Sequence, residues 1–576
     1  MFIILVCLLI GCGNPNTQPD EQTQESKRIT QVGQPPLEPS PPPSHQRGEY
    51  MYKFLVAEVA VQRGQFDLSA QYFVDLAKES HDPRFAERAT QIAMYINEYK
   101  LALQTTQVWV NLEPDNFNAR QLLSNLLLHF DRVDEALTHL EIVLNAFKDD
   151  VDKRLQILTL LVEQPANFNH VLELIRKLLV KRPNDISVLV IYAHLLINDN
   201  KLERALRIVN QLLDIDPNHE QGVLLYAHVL DKQDKLEHAL LWLKQKLHDK
   251  PDREEWRLLY ARLLVKNEKF TEAIEQFQQL LQKNPNEPEI IRTLGLLALQ
   301  TEQLSTAKSY FNQLLNNKEV VDTARFYMGQ ISEKEDNLAE ALQWYRAVAS
   351  GSFYLSAQIS IASILFEQGH IDEGRKHLHN ISGLDERELL TLIQAEANLL
   401  IEQERFAEAM VVYNKALEKY PKNVDLLYMR AMLAEKMERL DLLEKDLRYI
   451  LVLEPDNVEA LNALGYTLTD QTQRYQEAYQ LIKRALAVNT ADEPFHVLDS
   501  MGWVLYHLKN YEEAIIYLRK AQAKQNDSEV AAHLGEVLWV SGQPESAKEI
   551  WEKALEDFPD DEKLQEVMQK FLKGSL

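Results

Sequence analysis

Cysteine is nearly absent from this sequence of 576 residues, since both of its cysteines, Cys7 and Cys12, lie at the amino terminus. The body therefore has no disulfide framework, no cysteine-ligated metal and no cysteine nucleophile. Glycine numbers only 17, which argues against a turn-rich β protein or a glycine-rich dinucleotide-binding fold. Basic residues are also few, because 62 Lys and Arg face 87 Asp and Glu and leave a formal net charge of −25. Nucleic-acid affinity depends on Lys and Arg contacts with phosphates, so the composition disfavours a nucleic-acid partner and favours proteins or cationic surfaces.

Motifs for catalysis are missing as well. The sequence contains no HExxH, no GxSxG, no P-loop and no GxGxxG that follows a strand pattern. His377 and His379 form a single HxH pair, which is more typical of a solvated helix face than of a metal site. The acidic pair Asp560-Asp561 suits a capping turn and needs no catalytic role. We therefore predict that the chain is not an enzyme and holds no cofactor and no metal.

The first twelve residues form an apolar segment that ends in a cysteine. The run over residues 2–10 is too short to span a bilayer but has the length of a signal-peptide core. The segment LIGC ending at Cys12 resembles the bacterial lipobox, which implies cleavage between Gly11 and Cys12 and lipidation of Cys12 with acyl chains such as palmitate. The next residue is Gly13 rather than Asp, which by the same resemblance indicates the outer membrane, with the protein facing the periplasm. No Lys or Arg precedes the run, so an upstream start codon or an ordinary buried terminus is the alternative.

A segment rich in proline and glutamine follows the expected signal peptide of residues 1–11. Residues 12–48 hold hardly any apolar side chain. Such a composition cannot bury a core and stays extended. We predict that 12–48 is a lipidated, disordered tether that holds a folded body away from the membrane surface.

From Tyr50 onward the sequence repeats with a period of 34 residues. The alanine of a recurring polar-Ala-aliphatic motif keeps this spacing: Ala205, Ala239, Ala273, Ala307 and Ala341. A second small residue lies twelve positions before each of them: Ala193, Ala227, Ala261, Gly295 and Gly329. Prolines keep the same spacing: Pro183, Pro217, Pro251 and Pro285. A period of this length is the sequence signature of stacked supersecondary units.

Each unit has the pattern of two amphipathic helices joined by a short turn and resembles the tetratricopeptide repeat. Small residues fit where two helices cross at close range, and a larger side chain there would overpack. Proline ends the second helix because it cannot continue the hydrogen-bond ladder. One unit cannot bury its own apolar face, so the units must stack. The sequence thus predicts an all-α superhelical solenoid of about 15 helix-turn-helix units.

The repeat becomes irregular between residues 351 and 383. The turn Ser350-Gly351-Ser352 has no proline, and glycines crowd into the residues that follow. We interpret 351–383 as a degenerate repeat between an N-terminal array, 49–350, and a C-terminal array, 384–573. Simple loop variation and a functional hinge are both open as explanations.

Three polar residues, His194, His228 and Arg262, lie one repeat apart. They occupy a first-helix position that usually lines the concave groove of this repeat. Neighbouring helices pack ~9–10 Å apart, too far for these side chains to share one metal ion. A basic ladder for an acidic peptide is one interpretation, and ordinary solvation of the groove is the other. Apolar residues stand where the carboxylate clamp of chaperone-binding members would have its first lysine, which disfavours capture of an EEVD-type tail: Val190, Leu224 and Leu258.

A closer resemblance covers the repeat array and is most specific in DPRFAERA (82–89) and in two C-terminal blocks, ALNALGYTLTD (460–470) and the block containing HVLDSMGWVLYHL (496–508). These segments resemble a family of outer-membrane tetratricopeptide lipoproteins from gammaproteobacteria. In the best understood branch, the lipoprotein binds a periplasmic carboxyl-terminal processing protease with a PDZ domain and presents substrates to it, among them peptidoglycan hydrolases. The resemblance implies an anchored adaptor with periplasmic protein partners and no small-molecule substrate. An assembly scaffold for an envelope machine, such as a pilus or an exopolysaccharide exporter, is the alternative.

Overall fold

The computed structural model describes residues 44–163, 168–488 and 493–572. Within these ranges the chain forms 31 α-helices and no β-strand. Consecutive helices pair as antiparallel hairpins, so the all-α architecture of about 15 helix-turn-helix units is confirmed. The packing divides the chain into two compact units, residues 1–310 and 311–576.

The first unit has a continuous hydrophobic core that extends from Ala77 to Leu297, with smaller clusters at its amino-terminal end. Its helices are α1 (Ser44–Gln62), α2 (Phe66–Ser80), α3 (Pro83–Tyr95), α4 (Tyr99–Leu112), α5 (Phe117–His129), α6 (Val133–Ala146), α7 (Val151–Glu163), α8 (Phe168–Lys181), α9 (Ile186–Asn198), α10 (Leu202–Ile215), α11 (Glu220–Lys232), α12 (Leu236–Asp249), α13 (Glu254–Lys266), α14 (Phe270–Lys283) and α15 (Pro288–Gln300). Helix α16 (Leu304–Leu314) crosses the division.

The second unit has its own core, which extends from Ala362 to Leu564. Its helices are α17 (Val321–Lys334), α18 (Leu338–Ala347), α19 (Tyr354–Glu367), α20 (Ile371–His379), α21 (Glu386–Glu402), α22 (Phe406–Lys419), α23 (Val424–Lys436), α24 (Leu440–Leu453), α25 (Val458–Asp470), α26 (Tyr475–Val488), α27 (Phe495–His507), α28 (Tyr511–Lys524), α29 (Ser528–Val540), α30 (Pro544–Asp557) and α31 (Glu562–Leu572).

The small residues of the repeat lie where the two helices of a hairpin cross. Ala193 on α9 and Ala205 on α10 are both 0% exposed. At Gly465 on α25, an added Cβ would lie 2.5 Å from Cγ1 of Ile482 on α26. Because such a distance is far inside van der Waals contact, the crossing requires glycine, as the sequence pattern predicts.

Proline and a polar cap act together between one hairpin and the next. Pro455 lies two residues beyond the end of α24, and the side chain of Asn457 accepts a hydrogen bond from the backbone N–H of Ala460 at 2.9 Å. The proline cannot extend the preceding helix, and the asparagine satisfies one of the unpaired N–H groups at the start of the following helix. The same pairing of proline with an asparagine or aspartate cap precedes three other helices: Pro114 with Asn116, Pro183 with Asp185, and Pro421 with Asn423.

The residues expected to form a degenerate repeat fold as a helical hairpin, α19 and α20, in which α20 has nine residues. The turn before it is held in place: Asp322 on α17 accepts hydrogen bonds from the backbone N–H and the hydroxyl of Ser350, at 3.0 and 3.1 Å. Phe353 stacks on Phe326 with ring centroids 4.7 Å apart. Packing divides the chain upstream of this hairpin, between Tyr310 and Phe311. The array boundaries expected from sequence stay predictions.

At the amino-terminal end, α1 begins at Ser44, so residues 44–48 of the expected tether are helical. The last proline of that segment is Pro43, after which nothing in the sequence prevents a helix. The expected signal peptide and the lipidation site, Gly11 and Cys12, lie outside the described residues. Among the described helices, none has the length and apolar character needed to cross a membrane.

Candidate functional site

The three residues singled out by their spacing line one cavity of the first unit. His194 on α9, His228 on α11 and Arg262 on α13 surround a space of about 370 Å³. Each follows directly on a fully buried alanine of its helix: Ala193, Ala227 and Ala261. The helix period turns the residue after each alanine toward the cavity, so the repeat aligns the three polar side chains in a row. We call this cavity the histidine groove.

Leucine side chains complete the histidine groove, and its other lining residues are Gln221, Leu224, Leu225, Glu255, Leu258 and Leu259. Two of the leucines, Leu224 and Leu258, occupy the positions at which a carboxylate clamp would place lysine. The groove therefore offers an apolar wall beside a polar row. Such a combination suits a peptide with apolar side chains and one or two polar groups.

The polar row of the histidine groove is available to a ligand. In the described part of the chain, His194, His228 and Arg262 make no hydrogen bond and no ion pair with another residue. Desolvation by the groove walls, and then the nearby His228, lower the pKa of His194. Desolvation, followed by Lys232, lowers the pKa of His228. Both imidazoles are therefore mainly neutral at pH 7, and Arg262 is the permanent cation of the row.

A second cavity of the first unit, of about 430 Å³, was not found from the sequence. Its lining is rich in side-chain amides, and those residues are Asn116, Phe117, Asn118, Gln121, Phe147, Lys153, Gln156, Ile157 and Leu160. The neighbouring Asn125, one helical turn beyond Gln121 on α5, has a buried Oδ1 atom without a hydrogen-bond partner. Amides carry both donors and acceptors, and therefore match the backbone of an extended peptide.

The second unit contains a polar cluster that joins alternate helices. His533 on α29 and Asp499 on α27 are each 6% exposed, and Nδ1 of the histidine lies 3.0 Å from both carboxylate oxygens. The indole of Trp503 stacks on His533 with ring centroids 4.0 Å apart. Burial alone would lower the pKa of His533, but the carboxylates of Asp499 and Glu529 hold this pKa above its ordinary value. The histidine is thus a buried cation paired with a buried carboxylate.

Two further chains of hydrogen bonds extend this cluster. Glu529 on α29 accepts from the hydroxyl of Tyr466 on α25 at 2.7 Å and from Nζ of Lys563 on α31 at 2.6 Å. Burial raises the pKa of Glu529, but Lys563 and Tyr466 hold it below its ordinary value overall. The neighbouring Glu536 accepts from the hydroxyl of Tyr506 at 3.0 Å and from Lys570 at 3.3 Å. Four helices are therefore joined by one network of buried polar contacts.

Sequence reasoning missed this network, although a clue was present. Asp499 and His533 are 34 residues apart, like the residues of the histidine groove. Both lie in the C-terminal blocks that carry the family resemblance, where attention went to the glycines and aromatic residues. An acid and a histidine at that separation on successive first helices would have predicted the pair.

Neither groove has the ligands for a metal ion. No group of three or more His, Cys, Asp or Glu side chains in the described ranges is placed to hold one. The HxH pair divides its contacts: Nε2 of His379 lies 2.8 Å from Glu396, whereas Nε2 of His377 is buried without a partner.

Stacked helical hairpins with open grooves define a repeat scaffold that is suited to binding other proteins. The tetratricopeptide repeat is the family model that matches, over residues 196–263, 264–330 and 505–571, with a second model of the same repeat over 412–442. The chain is 40% identical over 486 residues to a TPR repeat-containing protein of Pseudomonas aeruginosa, which covers 84% of this chain and 82% of that protein. The protein belongs to the tetratricopeptide repeat family, whose members are typically non-catalytic scaffolds that bind protein partners.

Two more distant similarities were found. The type IV pilus assembly protein PilF of Pseudomonas aeruginosa is 26% identical over 146 residues, which cover 25% of this chain and 58% of that protein. The crystal structure of a tetratricopeptide repeat protein from Parabacteroides merdae covers 49% of this chain and 97% of its own, with 16% identity and a TM-score of 0.33.

Proposed function

We propose that this protein is an adaptor that holds two other proteins at once. The observation that carries the proposal is that its two compact units have grooves of different chemistry. One is a leucine-walled groove with two neutral imidazoles and a guanidinium, and the other is a cluster of carboxylates and aromatic rings. Two such grooves discriminate against each other's ligand and suit two different partners. Holding both partners makes their encounter intramolecular, with an effective concentration up to the millimolar range.

The partners that we propose are a periplasmic carboxyl-terminal processing protease and its substrates, among them peptidoglycan hydrolases. The resemblance of residues 82–89 and of the C-terminal blocks to the outer-membrane lipoprotein family supports this choice. In this proposal, lipidation at Cys12 anchors the protein to the outer membrane and the following segment lets the repeats face the periplasm.

The adaptor role is tested by reconstitution. The full-length protein in detergent micelles is mixed with the processing protease of the same organism and a peptidoglycan hydrolase, and the rate of hydrolase cleavage is measured. We expect cleavage to accelerate by about tenfold or more when the protein is present. The double variant His228→Ala with Arg262→Ala serves as the groove-directed comparison and is expected to lose acceleration. Equal cleavage rates with and without the protein would refute the adaptor role.

The anchor is tested separately. Cells that express the protein are labelled with a palmitate analogue and fractionated. We expect label on the wild-type chain in the outer-membrane fraction and no label on the Cys12→Ser variant, which is expected in the soluble periplasmic fraction. Equal labelling of both chains would contradict the anchor.

A second candidate function is assembly of an envelope machine, and the similarity to the pilus assembly protein PilF favours it. This function predicts that deletion of the gene abolishes surface pili while hydrolase turnover stays unchanged. The adaptor proposal predicts the reverse, namely accumulation of the hydrolases with normal pili. Measuring both in one deletion strain separates the two functions.

A further inference from the structure

The polar cluster of the second unit contains more negative than positive side chains. Five carboxylates belong to it, those of Glu435, Asp470, Asp499, Glu529 and Glu536, whereas the positive side chains are His533, Lys563 and Lys570. The last three pair with Asp499, Glu529 and Glu536, respectively. In the described residues, neither of the remaining carboxylates forms an ion pair. The cluster as folded is therefore short of positive charge.

The two unpaired carboxylates, Glu435 on α23 and Asp470 on α25, lie within electrostatic reach of each other. Burial, followed by repulsion from Asp470, raises the pKa of Glu435. Asp470 is exposed, so the site opens to solvent at this point. Two like charges on neighbouring helices destabilise each other unless a cation lies between them.

Polar atoms without partners occur in the same place. Trp503 on α27 is only 8% exposed, and its indole Nε1 has no hydrogen-bond acceptor in the described residues. The indole lies between His533, on which it stacks, and His507, which it meets edge-on at 4.8 Å. His507 itself is within the field of Asp470, and its Nε2 atom is also buried without a partner. A buried donor that stays unpaired costs free energy, so a ligand that supplies an acceptor gains from pairing it.

An unpaired acceptor accompanies this unpaired donor. Asn462 on α25 lies one helical turn before Tyr466, on the same face of the helix, and its buried Oδ1 atom has no donor. We call the site formed by Glu435, Asn462, Asp470, Trp503 and His507 the acidic groove. It presents two carboxylates, one N–H donor and one carbonyl acceptor.

We propose that the acidic groove binds an extended peptide segment that carries arginine or lysine. The cationic side chain pairs with Glu435 and Asp470, a backbone carbonyl of the segment accepts from Trp503, and a backbone N–H donates to Asn462. An extended peptide offers these groups together, and aromatic rings such as Trp503 add attraction for a guanidinium. This inference rests on the proposed function, because it names the chemistry of one of the adaptor's two partners.

The test measures binding of short fluorescently labelled alanine–serine peptides to the full-length protein by anisotropy. One peptide carries two arginines, and the matched peptides carry two glutamines or two glutamates instead. We expect the arginine peptide to bind about tenfold more tightly than the glutamine peptide, and the glutamate peptide to bind most weakly. Because the whole chain is acidic, a generic attraction for cations has to be separated from the site.

Charge-matched variants make that separation. The double variant Glu435→Gln with Asp470→Asn removes two charges from the acidic groove, and Glu512→Gln with Glu549→Gln removes two exposed charges from α28 and α30. We expect the first to lose about tenfold in affinity for the arginine peptide and the second to bind as the wild type does. Equal losses in the two variants, or equal binding of the arginine and glutamine peptides, would overturn the proposal.

The same variants are then assayed for acceleration of hydrolase cleavage. If the wild-type protein accelerates cleavage but does not prefer the arginine peptide, the acidic groove proposal falls and the adaptor function stands. If the arginine preference is present and depends on Glu435 and Asp470 while cleavage is never accelerated, the groove assignment holds and the adaptor function falls.

Discussion

The two grooves are built on the same repeat yet use their polar residues in opposite ways. In the histidine groove, residues 34 positions apart are His194 and His228, which repel each other when charged and stay unpaired. In the second unit, residues with the same separation are Asp499 and His533, which pair and become buried. The repeat thus determines where side chains meet, and their chemistry determines whether the meeting forms an open binding row or an internal lock between helices.

The largest expected effect distinguishes the lock from the open row. Replacing Asp499 with Ala leaves the buried His533 without its carboxylate, so we expect a loss of about 3–5 kcal/mol in the stability of the second unit. The His194→Ala variant of the open row is expected to change stability by less than about 0.5 kcal/mol. Urea unfolding gives the stabilities, and hydrogen exchange of α27 and α29 locates the loss. Similar stability changes in the two variants would remove the contrast.

A smaller effect is expected on binding by the histidine groove. The Arg262→Ala variant removes its permanent cation, so affinity for a labelled alanine–leucine peptide with two glutamates should fall by about 1.5 kcal/mol. Its affinity for the arginine peptide should stay unchanged, because that peptide binds in the other unit. The same anisotropy assay measures both. Parallel losses for the acidic and basic peptides would show that the grooves are not independent.

A still smaller effect concerns the unpaired indole of the acidic groove. Trp503→Phe keeps an aromatic ring but removes the N–H donor, and affinity for the arginine peptide should fall by about 1 kcal/mol. Trp344→Phe is the control, since the N–H of Trp344 is already used by Glu340 at 3.3 Å within α18. Unchanged affinity in the Trp503 variant would mean that the indole does not pair with the ligand.

The smallest predicted effects are opposite pH dependences in the two units. His533 has a raised pKa when folded, so its stabilising contribution is complete below the unfolded value of about 6.5 and is lost as pH rises through the folded pKa. His194 and His228 have lowered pKa values, so their contribution is present above about 6.5 and is lost as pH falls through the folded values. Histidine ring NMR should find His533 titrating above pH 6.5 and the other two below. The reverse order would contradict the assigned environments.

Much of the fold was predictable from the sequence because the repeat is written in residues with strict steric roles. Glycine at position 465 is required by the close approach of Ile482, and Pro455 with Asn457 ends one helix and begins the next. These requirements are local and recur at a fixed period, so one sequence suffices to detect them. The row formed by His194, His228 and Arg262 could be found for the same reason.

The second groove could not be found in this way. Gly502 and Gly535, which mark equivalent crossings, are 33 residues apart, so Asp499 and His533 do not occupy equivalent positions of their repeats. A comparison of equivalent positions therefore passes over the pair. The hydrogen bond from Tyr466 to Glu529 spans 63 residues and joins helices of two non-adjacent hairpins, and no spacing rule predicts it. Such contacts depend on how successive hairpins are rotated in the folded unit.

The central claim is that one chain holds two partners through two separate grooves. Mass photometry of the full-length protein with the processing protease and a peptidoglycan hydrolase tests this claim most directly. We predict a ternary complex in which each partner binds with the affinity that it has alone. Displacement of the protease by the hydrolase, without any ternary species, would contradict it.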